Sequence, residues 1–544
     1  MLRGCMMDDY QLTLPYLLER CQTFFPNNEI VSRMPDGSIH RYTYGQYAAR
    51  TKQLGNALKR LGVEQGDRVG TLCWNSYRHM EAYLGIPAIG AVLHTLNLRL
   101  HPNDLTYIAN HAEDKVIIAD RSLLPVLEQF QSTVTSLQHV IVIPDDGPVP
   151  EGYLDYEALL AAESPELKYP EINERDAAAM CYTSGTTGNP KGVLYSHRST
   201  FLHTMAACLT DTIGISENDT ILPVVPMFHA NAWGVPFAGA MTGSKLVFPG
   251  PNLAPDILLD LMATERVTVA EGVPTIWLGI LNLLDHNPGK WDLSSVRSTL
   301  VGGSAAPPAM IEGFRKRHNI PVMHAWGMTE MSPIGTLARV KHGIAAGASE
   351  ADLLKVKSTQ GYPVPLVEIR HVDDENNVLA WDGQTMGELE VRGPWVAASY
   401  YNNDEQQDKF TPDGWFRTGD IVTIDAEGYI SITDRSKDVI KSGGEWISTV
   451  ALENALMAHP AVLEAAVFAA RHAKWDERPL AAVVFKDGES ATKDELLAHL
   501  APDFAKWWLP DDVLVITEIP KTSTGKFQKL TLRDQYGDYL LNKA

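Results

Sequence analysis

A chain of 544 residues exceeds what one hydrophobic core supports, so two or more domains are expected. Its composition, 45% hydrophobic and 21% charged, is that of a soluble globular protein, and 46 Lys+Arg against 67 Asp+Glu leave a net charge of −21 that argues against a nucleic-acid partner. Cys5, Cys21, Cys73, Cys181 and Cys208 are odd in number and lack C-x-x-C spacing, which points to reduced thiols in a cytoplasm rather than disulfides or a zinc site. The N-terminus has no signal-peptide pattern, and no apolar run is long enough for a spanning helix, although peripheral membrane contact stays open.

From the N-terminus, apolar strand-like runs alternate with amphipathic helical patterns up to about residue 430, the rhythm of layered α/β domains. Val69–Trp74, Lys115–Asp120 and His139–Pro144 read as buried strands. Ala177–Tyr182 reads as a strand and Ser199–Met205 as the start of a helix; between them lies Tyr-Thr-Ser-Gly-Thr-Thr-Gly-Asn-Pro-Lys-Gly, residues 182–192. Leu253–Thr264 and Pro308–His318 read as helices. Glycine and proline become dense from Gly361 to Gly428, where Glu388–Arg392 is strand-like, so a β-rich subdomain is expected. Gly428–Asp434 ends a strand in the charged stretch Asp434–Asp438, followed by a helix at Thr449–Ala458 and strands at Leu463–Ala469 and Leu480–Phe485.

The 182–192 segment carries the clearest chemistry. Gly185, Gly188 and Gly192 let backbone N–H groups converge on one spot; Thr183, Ser184, Thr186 and Thr187 add hydroxyl donors, and Lys191 adds a point charge suited to phosphate. A polar turn is the plainer reading of such a loop. Proline rather than glycine precedes the lysine, so it is not a Walker loop. Taken alone, Glu330 reads equally as an acid at a helix start, Trp326 and His229 as core residues, Asp420 as a turn residue, and Lys526 as a solvated lysine.

Together with this loop, Trp326–Glu330 (Trp-Gly-Met-Thr-Glu), Trp415–Asp420 (Trp-Phe-Arg-Thr-Gly-Asp), Asp434–Trp446 and Pro520–Lys526 (Pro-Lys-Thr-Ser-Thr-Gly-Lys) stand in the order seen in the adenylate-forming enzymes: acyl-CoA synthetases, luciferases and adenylation domains. The chain resembles that superfamily over nearly its whole length. Within it, Pro223–Trp233 and Lys441–Ser448 resemble the bacterial medium- and long-chain fatty acid–CoA ligases.

The resemblance implies an α/β fold. A large layered N-terminal domain (1–433), with β-sheets flanked by helices and a β-rich subdomain, would be joined by a hinge (434–439) to a small mobile α+β domain (440–544). It implies ATP, Mg2+ and coenzyme A. Thr183–Gly188 and Lys191 would wrap the phosphates; His324, Ala325, Trp326 and Gly327 would meet adenine, with Trp326 where most relatives have tyrosine; Thr329 would touch the α-phosphate and Asp420 the ribose. Glu330 with Thr183 would hold magnesium, and Lys526 would bridge carboxylate and α-phosphate. Arg435, Lys437, Lys441 and Trp446 would contact nucleotide or secure the rotated domain, and Gly443 and Gly444 would border the pantetheine channel.

For the acid, the resemblance implies that His229 lies near the carboxylate, Trp233 gates the acyl tunnel, and Gly302, Gly303 and Ser304 form its floor. No Arg or Lys in these segments would pair a second substrate charge, so a hydrophobic acid is expected. Alternatives are a short or aryl acid such as 3-(methylthio)propanoate, or a non-catalytic nucleotide-binding regulator. A homodimer is implied by analogy, and Arg471, His472 and Lys474 form a basic cluster that CoA phosphates could use.

Overall fold

The computed structural model describes every residue except 1, 3, 8, 146, 184–188, 404–407, 436–437, 443–444, 523–525 and 544, together with the side chains of Lys441, Glu445 and Trp446. Two large sheets dominate the first four hundred or so residues. The first has seven strands in the spatial order Leu154–Asp155, His139–Ile143, Asp114–Asp120, Arg68–Leu72, Val92–Thr95, Ala177–Tyr182 and Gly192–Ser196, all parallel but the last. The second has nine strands. Its central run is parallel (Val322–Gly327, Ser298–Val301, Val269–Gly272, Thr220–Pro223, Lys245–Phe248, Glu29–Arg33), and antiparallel strands flank it on both sides.

Parallel strands buried on both faces need helical cover, which explains the continuous apolar runs at Val116–Ala119 and Leu246–Phe248. Helices Pro15–Phe24, Tyr77–Ala88, His197–Cys208 and Val235–Thr242 share one core with residues of both sheets, and every residue of Tyr77–Ala88 is buried. The other face of the nine-stranded sheet is covered by Pro255–Thr264, Pro274–His286 and Pro308–His318, which bury Trp277 and Phe314 in a separate cluster.

The β-rich expectation corresponds to a four-stranded antiparallel sheet of Glu368–Val372, Gly387–Arg392, Phe416–Ile424 and Ile430–Arg435. A small C-terminal domain follows, with a five-stranded sheet that includes Val462–His472 paired to Asp476–Phe485, and helices Thr449–Ala458, Lys493–Leu500 and Lys529–Tyr536. All five cysteines are free thiols. Among the described residues no helix is long and apolar enough to cross a membrane.

Candidate active site

A cavity of about 560 Å³ opens where strand ends of the nine-stranded sheet, the β-rich sheet and the C-terminal domain converge. Its walls hold Thr183, Lys191, Glu330, Asp420, Arg435 and Lys526, from motifs separated by hundreds of residues. The side expected to take the acid is lined by His229, Trp233 and Gly302–Ser304, and the strand carrying His324–Gly327 forms part of the same wall. Ser184, Gly185, Thr186, Thr187, Gly188, Lys437, Gly443 and Gly444, and the side chains of Lys441 and Trp446, lie outside the described residues.

The neck of the phosphate loop is closed by two hydrogen bonds. The Thr183 N–H donates to the Lys191 carbonyl (2.9 Å), and the Lys191 N–H to the Thr183 hydroxyl (3.2 Å). The Lys191 ammonium stands 4.9 Å from the Tyr400 ring centroid, a cation–π distance. Burial lowers its pKa, against the raising charge of Glu330. The Tyr400 hydroxyl donates to Glu330 Oε1 at 2.8 Å, so one tyrosine touches both the phosphate-loop lysine and the candidate metal ligand. Tyr400 was missed in the sequence because it lies 70 residues from Glu330, in a segment with no motif of its own. The Tyr195 hydroxyl accordingly braces the next residue back, donating to the Thr329 carbonyl at 2.7 Å.

Glu330 and Thr183 offer oxygen ligands alone, the donor set magnesium takes. Among the described residues no group of three or more His, Cys, Asp or Glu side chains is placed to hold a metal. The residues therefore fit an ion that draws its remaining ligands from phosphate and water.

At the nucleoside end, the indole N–H of Trp326 donates to Asp420 Oδ2 at 2.9 Å, and Arg435 Nε lies 2.7 Å from Oδ1. Tryptophan in place of tyrosine thus supplies its own donor to the ribose-binding candidate. Asp420 is not in a turn: it lies within strand Phe416–Ile424 and is 1% exposed. Its carboxylate is the main reason the Arg435 pKa is raised. Gly335 lets the indole lie flat against backbone, since a Cβ there would stand 2.6 Å from the ring. His324 is committed elsewhere: its Nε2 accepts from the Ala306 N–H (3.1 Å), and its Nδ1 lies 3.3 Å from the Ser358 carbonyl. Its ring therefore orients the 302–307 loop, and burial pulls its pKa down to about 4.

Lys526 reaches the cavity beside Thr522, and the two exchange hydrogen bonds: Thr522 N–H to the Lys526 carbonyl (2.7 Å) and Lys526 N–H to the Thr522 hydroxyl (3.1 Å). Gly303 has φ +86°, and a Cβ on it would sit 3.4 Å from Lys526 Cε, so the lysine stem passes directly over the acid-side loop. Burial, with the Arg435 charge adding to it, lowers the Lys526 pKa to about 8. Burial and the Lys526 charge likewise lower His229 to about 3, leaving a neutral imidazole at working pH.

His229 and Trp233 are presented by an unusual backbone. Ala230, Asn231, Ala232 and Trp233 have φ of 42°, 53°, 46° and 50°, a left-handed turn closed by Gly234 at 78°. Four non-glycine residues in this region cost about 1–2 kcal/mol each. Asn75 holds the approach: its amide donates to the Pro223 and Val225 carbonyls (both 2.9 Å) and accepts from the Met227 N–H (2.7 Å). Trp233 then abuts Gly302, where a Cβ would come within 3.0 Å of the indole. In the C-terminal domain, the Arg471 charge of the basic cluster is met by Asp538 at 2.7 Å.

One cavity gathers Lys191, Asp420 and Glu330, the candidates for phosphate, ribose and metal, with Lys526 of the C-terminal domain, the grouping expected of an ATP-dependent acid-activating enzyme. The chain belongs to the AMP-binding enzyme family: that family's model matches residues 18–401, and the model of its C-terminal domain matches 451–526. It is 48% identical to a long-chain-fatty-acid–CoA ligase of Thermus thermophilus over 536 residues, 98% of this chain and 97% of the relative. It is 44% identical to a 3-methylmercaptopropionyl-CoA ligase of Ruegeria lacuscaerulensis (97% and 98% covered) and 42% identical to a medium-chain-fatty-acid–CoA ligase of Ectopseudomonas oleovorans (99% of each). Among solved structures, the anthranilate CoA ligase AuaEII in complex with anthranoyl-AMP superposes with TM-score 0.87 at 27% identity, covering 98% of this chain and 99% of the other.

Proposed function

We propose that this protein joins a medium- or long-chain fatty acid to coenzyme A, using ATP and releasing AMP and diphosphate. It is an AMP-forming acyl-CoA ligase. The observation that carries the reading is the convergence of Lys191, Glu330, Asp420 and Lys526 on one cavity whose acid side is aromatic and glycine-lined.

A carboxylate is a poor acyl donor because its oxygen leaves badly. In the first half-reaction that oxygen attacks the α-phosphorus of ATP and diphosphate departs; in the second the CoA thiol attacks the acyl carbonyl and AMP departs. Both steps demand in-line positioning and dispersal of phosphate charge. We assign the β- and γ-phosphates to residues 183–188 and Lys191, the α-phosphate to Thr329 and Lys526, the ribose to Asp420, and the adenine to the Trp326 ring. Arg435 secures Asp420 in this state. Neutral His229 hydrogen-bonds the substrate carboxylate, while the Lys526 ammonium offsets its charge. Glu330 and Thr183 would hold Mg2+, which supplies charge neutralisation on the phosphates. Lys409, another cation in the cavity wall, adds to the positive field around Lys191.

For the second half-reaction the 440–544 domain turns about residues 434–439, withdrawing Lys526 and presenting Lys441–Trp446 to the pantetheine arm. Five free thiols support a cytoplasmic setting. The exposed side chains of Leu2, Met6, Met7 and Tyr10 support an N-terminally mediated homodimer. A second reading, a ligase for 3-(methylthio)propanoate, is favoured by the 44% identity to the Ruegeria relative.

The test is acyl-CoA and AMP formation from ATP across acids from acetate to palmitate, with 3-(methylthio)propanoate and benzoate included. A maximum at medium or long straight chains is expected. A maximum at a short or aryl acid replaces the substrate, and inactivity on every acid despite ATP binding refutes the ligase reading in favour of a nucleotide-binding regulator.

A further inference from the structure

Gln360 sits between two strands that build the nucleoside end of the cavity. Its backbone is fixed on both sides: the Gln360 N–H donates to the Ile430 carbonyl (3.0 Å), and the Gln360 carbonyl accepts from the Thr336 hydroxyl. Thr336 is the register partner of Trp326, and Ile430 opens the strand that carries Ile432 and Arg435. Gly361 permits this close approach, because at its φ of +87° a Cβ would lie 1.9 Å from the Leu337 carbonyl carbon.

The side chain is equally constrained. Gln360 is 5% exposed and lines the cavity, next to Ile432. Its Oε1 accepts the Ile432 N–H at 2.7 Å. Only the oxygen of an amide can meet a backbone N–H, so this bond fixes which end of the side chain faces the strand. The amide nitrogen at the other end carries two N–H donors and meets no acceptor among the described residues. Buried donors without acceptors are rare in folded proteins, so one in a cavity wall calls for a ligand atom. The neighbouring donors are engaged: Trp326 and Arg435 with Asp420, and the Thr418 hydroxyl with the Leu389 carbonyl (2.8 Å). With Asp420 assigned to the ribose hydroxyls, the base is what remains for the Gln360 amide. The ring nitrogens of adenine accept hydrogen bonds and cannot donate them, and a stacked indole face offers them no N–H.

We propose that Gln360 is a nucleobase-binding residue whose amide donates a hydrogen bond to a ring nitrogen of the adenine of ATP. The inference rests on the acyl-CoA ligase reading for the presence of ATP in this cavity. Because Ile432 already holds the amide, the donor is preorganised and little side-chain freedom is lost when the base arrives.

The test measures dissociation constants, with Mg2+ present, for ATP and its 1-deaza, 3-deaza and 7-deaza analogues, each of which replaces one accepting ring nitrogen by C–H. Wild type and Gln360→Met are titrated calorimetrically, with thermal unfolding alongside; Gln360→Leu takes the place of the methionine variant if that does not fold. Wild type should bind ATP about 5- to 10-fold more tightly than it binds one of the three analogues. Gln360→Met should bind ATP more weakly than wild type and should no longer distinguish it from that analogue. The coupling carries the test, because a merely structural defect would weaken all four nucleotides alike. Ratios of ATP to every analogue that are equal in wild type and Gln360→Met, with ATP still bound by both, overturn the assignment. A wild type that binds none of the four nucleotides would instead refute the ligase reading, and this inference with it.

Discussion

Replacing Trp326 by phenylalanine keeps a ring against the adenine site and deletes one N–H, the donor 2.9 Å from Asp420 Oδ2. Asp420 is 1% exposed, so water cannot stand in for the missing donor. A hydrogen bond to a charged group contributes about 1.5–3 kcal/mol. Arg435 still holds the other oxygen, 2.7 Å away, which places the expected loss at the lower end, about 1.5–2 kcal/mol. If Asp420 holds the ribose, that is roughly a 10- to 30-fold rise in KM for ATP. The smaller ring also leaves a void beside Gly335 and Met331, costing about 1–2 kcal/mol of stability. The two effects separate experimentally: denaturant unfolding reads the void, and initial rates against ATP at saturating acid and CoA read the lost donor. Trp326→Tyr should recover part of the ATP affinity if its hydroxyl reaches Asp420. A Trp326→Phe enzyme whose KM for ATP stays within about 2-fold of wild type, measured on the folded fraction, would refute the link between indole, aspartate and ribose.

Lys526→Ala should abolish acyl-adenylate formation yet leave thioester formation from supplied acyl-AMP largely intact; equal loss of both halves sinks the assignment. Because burial holds the Lys526 pKa at about 8 in the free enzyme, the ammonium is present below that pH and lost above it. The adenylation kcat/KM should therefore fall as pH rises through about 8, and a profile flat to pH 10 removes the charge from the mechanism. Tyr400→Phe removes the 2.8 Å bond to Glu330 and should raise the magnesium concentration for half-maximal rate about 10-fold, with the KM for acid unmoved; an unchanged magnesium dependence returns Tyr400 to packing. Trp233→Ala relieves the wall against Gly302 and should shift acyl-chain preference far more than ATP affinity, as a chain-length series would read.

Much of the secondary structure was legible locally. Ala177–Tyr182, Pro308–His318 and Thr449–Ala458 form as their periodicity predicts, because strand and helix patterns repeat over a few residues and need no distant information. The residue types that make 182–192 a candidate phosphate loop were visible for the same reason: glycines, hydroxyls and a lysine sit side by side in sequence.

Contacts that join distant segments were not legible. Nothing in Glu29–Arg33 announces that it pairs with Lys245–Phe248 and extends the second sheet. The Trp326–Asp420 bond spans 94 residues and the Tyr400–Glu330 bond 70, and in isolation Asp420 looked like a turn and Trp326 like core. His324 lines the cavity as expected, but that both its ring nitrogens meet backbone groups could not be read from the sequence. The left-handed turn at 230–233 carries no glycine until Gly234, so residue type concealed it; surrounding packing imposes it. The sequence by itself determined which local elements form and which residue types could handle phosphate, ribose and metal. Tertiary structure alone decided which of them meet, because hydrogen-bond partnership and burial are properties of neighbours in space that composition and periodicity do not encode.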